Sequence, residues 1–217
     1  MAVEIYENLV SALKKLRLPA MAEILDSYTK QAVSSSMSYM DFLNGLVLEE
    51  VRNKEHRGIE NRLKNAKFPV TKSLDDFDYS FQPSINRKKL EELASLRFID
   101  NRENILFLGP PGTGKTHLAT GLGVRACESG YKVLFTTLND MLSTMMASLA
   151  DNSFPRKLGT FIQPSLLIVD EVGYLPVSKE GANFLFQIVS KRYETGSIIL
   201  PATSHFLIGE KCWEITS

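Results

Sequence analysis

Gly109, Gly114, Lys115 and Thr116 fall in the spacing G-x-x-x-x-G-K-[ST], a pattern able to hold a polyphosphate. Phosphate oxygens must be met by backbone amides at close range. Gly109, Gly112 and Gly114 are expected to remove the Cβ atoms that would block that approach. Loop N–H groups then form an anion-binding concavity, reinforced by the positive end of the following helix dipole. Lys115 would bridge β- and γ-phosphates, and the Thr116 hydroxyl would ligate Mg²⁺. A second set of groups lies downstream, where the apolar run Leu166-Leu-Ile-Val169 ends in Asp170 and Glu171. Asp170 would hold Mg²⁺ through water, and Glu171 would activate an attacking water. For that, the Leu166–Asp170 strand is expected to lie directly beside the strand that feeds the loop.

The elements that must position these groups can be read from the pattern. Ile105 to Leu108 is a short continuous apolar run, the mark of a buried parallel strand. Leu118, Ala119, Leu122 and Ala126 share one face of a helix that begins in the loop. Lys132–Thr137 and Ser197–Leu200 read as further strands. A methionine-bearing helix over Leu138–Leu149 and a helix capped by Ser178 lie between them. Strands alternating with helices imply an α/β fold: a three-layer α/β/α parallel sheet with ligand at the C-terminal strand ends.

Ahead of the sheet, residues 5 to 66 carry only helical signals. Ile5, Leu9, Leu13 and Leu16 mark one apolar face, Pro19 opens a second helix, and Ser38 to Asp41 resembles a capping start. Phe68-Pro69 ends the last of these helices. The expected domains are a small all-helical unit over 1–67, a linker over 68–83, and a nucleotide-binding domain over 84–217. The linker is rich in acids and in aromatics that are expected to pack on the next domain; Tyr79 or Phe81 is also a candidate to stack on an adenine, with core or linker packing the favoured alternative. Arg52, Arg57, Arg62, Lys64 and Lys67 form a basic run, read either as a solvated helix face or as a track for a nucleic-acid backbone.

The totals narrow the function classes. The 217 residues carry 25 basic and 25 acidic side chains, so no global field draws the chain to nucleic acid and any such binding is local. Cys127 and Cys212 are too few and too far apart for a disulfide scaffold or a metal site, which suits a reducing compartment. The N-terminus lacks the basic-then-apolar layout of a signal peptide, and no apolar run approaches the length of a membrane span. A cytoplasmic protein is expected.

The segments Gly109-Pro-Pro-Gly-Thr-Gly-Lys-Thr-His-Leu-Ala119 and Leu166-Leu-Ile-Val-Asp-Glu-Val-Gly-Tyr174 resemble those of AAA+ P-loop NTPases. Ser38–Leu43, Asp76–Tyr79, Leu93–Asp100 and Leu185–Glu194 narrow the resemblance to the IstB-like transposition helper ATPases, relatives of the DnaC-type helicase loaders. The resemblance implies ATP with Mg²⁺, bound by Gly109, Pro110, Pro111, Gly112, Thr113, Gly114, Lys115, Thr116 and His117. Lys115 and Glu171 would act in hydrolysis, with Thr203 as the sensor. It also implies a homo-oligomer on double-stranded DNA that directs a transposase, without a membrane. The alternatives are a helicase loader and a catalytically weak remnant. A small-molecule kinase would need a lid and pocket that the sequence does not show.

The end of the chain departs from this family. Pro201-Ala202 intervenes before Thr203, and Leu207–Ser217 matches nothing expected, so a truncated or frame-shifted copy is expected, with a short natural variant as the alternative. Without a fifth strand, the Ile105–Leu108 strand would keep an unpaired edge. Without the family's arginine, nucleotide binding with weak turnover is expected.

Overall fold

The structure, a computed structural model, describes residues 2–78, 85–173, 178–202 and 212–216. The chain divides into two compact units, residues 1–60 and 61–217.

The first unit holds α1 (Ala2–Lys15), α2 (Pro19–Ser34) and the larger part of α3 (Tyr39–Ala66). Pro19 occupies the first turn of α2, where its missing N–H costs nothing. The residue before it, Leu18, has no side chain able to cap the free amides. Glu50 of α3 does so instead: its Oε2 accepts from the N–H groups of Ala20 (2.8 Å) and Met21 (3.1 Å). Glu50 is buried, and its Oε1 has no partner. At the start of α3, Ser38 Oγ accepts from Asp41 N–H at 3.2 Å and donates to Asp41 Oδ2 at 2.6 Å, the capping expected from the sequence. Leu13, Met21, Ala22, Leu25 and Leu46 form the core of this unit. Of the apolar face anticipated on α1, only Leu13 is buried, while Ile5, Leu9 and Leu16 stay exposed.

The second unit begins with the last turns of α3 and an irregular segment to residue 78. Then come α4 (Arg87–Ala94), α5 (Arg97–Asp100), β1 (Asn104–Leu108), α6 (Lys115–Glu128), β2 (Val133–Thr137) and α7 (Leu138–Ala150). They are followed by α8 (Phe154–Ile162), β3 (Leu166–Asp170), α9 (Lys179–Arg192), β4 (Ser197–Ala202) and β5 (Cys212–Thr216). The sheet has the order β2-β3-β4-β1-β5, all parallel. Strand side chains alternate between faces. Ile105, Phe107 and Ile168 pack with Leu118 and Leu122 on one side. Leu106, Leu108 and Leu167 pack with Met141, Met145 and Ile188 on the other. The result is the three-layer α/β/α sandwich of a P-loop NTPase.

Three expectations change. First, β1 has no free edge: Asn104–Leu108 pairs with Cys212–Thr216 along its whole length. The stretch Cys-Trp-Glu-Ile-Thr is rich in strand formers, and pairing satisfies amides and carbonyls that β1 would otherwise leave open. Second, β3 does not lie beside β1, because β4 is inserted between them. Third, Pro201 and Ala202 do not intervene after the fourth strand; they are its last two residues, paired with Phe107 and Leu108. Proline withdraws a ladder donor, and the β3–β4 ladder breaks where it sits. Ile168 pairs with Ile199 and Val172 bridges Ala202, so β3 carries one residue more than β4 between these contacts.

At the opposite end of the sheet, Arg192 is buried without an acidic partner among the described residues. It donates to the carbonyls of Phe161, Ile162, Pro164, Ser165 and Ser197 at 2.7–3.3 Å, tying α8, α9 and the starts of β3 and β4 together. Burial lowers its pKa to about 10, which leaves it charged at neutral pH.

Candidate functional site

The loop from Gly109 to Gly114 joins the C-terminal end of β1 to the N-terminus of α6, with Gly114 as the helix cap. Gly112 and Gly114 both hold left-handed φ, +82° and +83°. That region suits glycine alone at low cost. A Cβ on Gly112 would meet no protein atom within 4 Å, so within the protein itself the demand there is conformational. A Cβ on Gly114 would stand 2.6 Å from Cε2 of Phe77, so this glycine also makes room for a ring.

Lys115 is the first residue of α6 and is buried. Its Nζ donates to the carbonyls of Gly109 (2.8 Å) and Pro110 (2.7 Å), which closes the loop around the ammonium. Thr113 Oγ1 donates to Pro110 O at 3.0 Å and stiffens the same turn. Burial pushes the Lys115 pKa below its usual value, and the nearby Asp170 carboxylate opposes that shift. A cation held at the base of a loop of backbone amides is suited to attract phosphate oxygens.

Thr116 Oγ1 donates to Asp170 Oδ2 at 2.8 Å, across the width of the inserted β4. The other carboxylate oxygen, Oδ1, accepts from the N–H of Glu171 at 2.8 Å. Glu171 is exposed and has φ +62°, a left-handed conformation that is strained for a non-glycine residue. It occupies the stretch where β3 carries its extra residue. Such an insertion re-aims a strand-end side chain, here away from the ladder. Asp170 and Glu171 are thus separated in role by backbone geometry: one buried beside Thr116, the other turned out at the strand end. Hydroxyl and carboxylate oxygens suit a hard cation such as Mg²⁺, which takes few protein ligands and keeps water and phosphate for the rest. No cluster of three or more His, Cys, Asp or Glu fit to hold a metal exists among the described residues.

The remaining expected residues divide. His117 does not face the loop alone: its Nε2 lies 2.9 Å from Ser73 O, and its ring meets Phe77 edge-on at 5.2 Å. Arg62, counted in the basic run, is half-buried and donates Nε to Cys127 O at 2.6 Å, covering the last turn of α6. Arg52 is exposed and pairs with Glu49 at 3.1 Å, and Arg57, Lys64 and Lys67 are exposed. Thr203, Tyr79 and Phe81 lie outside the described residues. The packing of this segment's aromatics on the domain that follows is expected from the sequence, but the place of Phe77 against Gly114 is not, since no local spacing specifies it.

The family described as IstB-like ATP binding protein matches residues 11–214. A putative ATP-binding protein of insertion sequence IS21 from Pseudomonas aeruginosa is 40% identical over 194 residues, 89% of this chain and 73% of that protein. Its counterpart in insertion sequence IS5376 from Geobacillus stearothermophilus is 41% identical over 192 residues, covering 88% and 76%. Among solved structures, AMPPCP-bound DnaA from Aquifex aeolicus aligns with TM-score 0.54 at 23% identity. The match covers 64% of this chain and 44% of that one, a likeness of fold. Among the described residues no helix is long and apolar enough to cross a membrane.

Proposed function

The chain belongs to the IstB-like ATP-binding family of AAA+ P-loop proteins, and on that premise we propose that it is an ATP hydrolase that assists an insertion-sequence transposase on DNA. The observation that carries the nucleotide part is the 2.8 Å hydrogen bond from Thr116 to Asp170. It brings together the hydroxyl and the carboxylate that a Mg²⁺–triphosphate requires, although they come from α6 and from a strand not adjacent to β1.

In this reading, Lys115 and the loop amides hold the β- and γ-phosphates. Thr116 and Asp170 hold Mg²⁺, which when bound neutralises charge on the phosphate oxygens. Glu171 orients the attacking water and takes its proton. The exposed Lys64 and Lys67 supply a local basic surface for the phosphates of double-stranded DNA. Partnership with a transposase is supported by the insertion-sequence names of the relatives, and assembly into a homo-oligomer is proposed with it on the resemblance alone. Those names favour transposition over helicase loading.

Calorimetric titration with ATP and Mg²⁺ tests the nucleotide reading. Saturable binding should vanish in Lys115→Ala, and Asp170→Asn should lose the Mg²⁺ dependence. Glu171→Gln should bind ATP but cut phosphate release by about 10²-fold or more. No saturable uptake by the parent protein would refute the nucleotide role. A gel shift on double-stranded DNA that is indifferent to ATP and to Lys64→Glu would remove the DNA role.

A further inference from the structure

The irregular segment that follows α3 lies along α6 from its C-terminal half to its N-terminus. Phe68 packs where a Cβ on Gly123 would stand, 2.7 Å from that position, and Leu74 does the same at Gly121, also at 2.7 Å. The Ser73 carbonyl accepts from Nε2–H of His117 one turn earlier, and Phe77 reaches Gly114 at the loop itself. Glycine inside a helix costs stability, so two of them in α6 mark a backbone built to be approached closely. The far end of this strap is shaped before it arrives. Ser73 N–H donates to Asp76 Oδ2 at 3.0 Å, Asp75 N–H to Ser73 Oγ at 3.1 Å, and Phe77 N–H to Leu74 O at 3.2 Å. These bonds close a turn that presents the Phe77 ring, 7% exposed, to Gly114 and His117.

We propose that Phe77, braced by His117, is a positioning residue for nucleotide: it holds the Gly114 cap in the conformation that aims the loop amides, so that closure of the strap and occupancy of the loop favour one another. This rests on the ATP-binding reading above. The physical basis is preorganisation. Gly114 has the widest backbone freedom of any residue type at a position that must stay at φ +83°. Without the ring against it, the loop orders only when ligand arrives, and the ordering entropy is taken from the binding free energy. Because coupling is reciprocal, nucleotide in the loop must equally hold the strap shut. Phe77 contacts loop backbone rather than the phosphates, so it acts through Gly114.

Limited trypsin digestion of the full chain reads the strap directly, since Lys72 is exposed within it. Saturating ATP with Mg²⁺ should slow cleavage after Lys72 by about 5-fold or more, and ADP should be compared in parallel. Phe77→Ala should weaken ATP affinity by a similar factor and abolish the protection. Phe77→Met, which refills the space with a flexible apolar chain, should restore most of both. If the parent binds ATP but its Lys72 cleavage is unchanged, or if Phe77→Ala binds ATP as the parent does, the inference is overturned while the nucleotide reading stands. If the parent takes up no ATP at all, it is the nucleotide reading that fails. The digestion of the parent needs no variant to fold, and the Phe77→Met rescue separates positioning from general damage.

Discussion

Alanine at Gly114 should cost the second unit more than alanine at Gly112, and the difference measures the Phe77 contact. Both positions hold φ near +80° (+82° and +83°), and a left-handed alanine costs about 1–2 kcal/mol. At Gly112 that is the whole cost, because the new methyl meets nothing within 4 Å. At Gly114 the methyl would lie 2.6 Å from Phe77 Cε2 and 3.2 Å from Cζ. Carbon atoms settle at about 3.5–4.0 Å, so the ring must retreat by roughly 1 Å. It retreats against His117, 5.2 Å away centre to centre, and overpacking of this kind adds about 1–3 kcal/mol. The expected totals are about 1–2 kcal/mol for Gly112→Ala and about 2–5 kcal/mol for Gly114→Ala. Urea unfolding followed by circular dichroism measures both, with the m-value checking that the transition stays cooperative. In a Phe77→Ala background the ring is gone, and Gly114→Ala should fall to the Gly112 cost, a coupling of about 1–3 kcal/mol. Equal costs at the two glycines, or no coupling, would refute the account of the strap as packed on the loop.

Three further outcomes follow from buried polar groups. Glu50→Ala leaves the N–H groups of Ala20 and Met21 without acceptors, so the first unit should lose about 1–3 kcal/mol and those two amides should exchange faster by NMR. Arg192→Lys keeps the charge but offers three donors where five carbonyls are now served, so two are left short at about 1–3 kcal/mol each; a melting temperature equal to the parent's would count against this. Cys127 is fully buried, and burial, aided by Glu128 and opposed by Arg62, raises its thiol from 9.0 to about 11. A raised folded pKa means stability is intact below pH 9 and declines as the pH climbs toward 11, by up to about 3 kcal/mol. Cys127→Ala should flatten that alkaline limb in pH-dependent unfolding, and an unchanged limb would exclude the thiol as its source.

The loop, its strand and its helix were readable because their signal is local. Leu118, Ala119, Leu122 and Ala126, at helical spacing, are all buried as read, and the apolar run before Asp170 is a strand. What escaped the reading depends on partners distant in sequence. No pattern near Leu18 announces that Glu50 supplies the cap of α2, because a cap in trans has no fixed spacing. No pattern near Arg192 announces five carbonyls gathered from α8, the turn before β3 and the start of β4. The Cys212–Thr216 strand looked foreign because five residues carry little periodicity, and only the open side of β1 defines their place. The apolar stripe on α1 misled in the other direction: spacing reports a helix face, and burial requires something to face it.

The strap shows how these two kinds of information combine at the site. Read locally, residues 68–78 are a linker, and Gly121 and Gly123 are weak points in a helix. Read together, the glycines of α6 and the apolar residues of the strap are complementary halves of one contact, with Phe68 against Gly123, Leu74 against Gly121 and Phe77 against Gly114. Alanine at Gly121 and Gly123 would make the better helix and would expel the segment that steadies the loop. The stability forgone in α6 is therefore the condition for a loop whose left-handed cap is already in place when a phosphate reaches it.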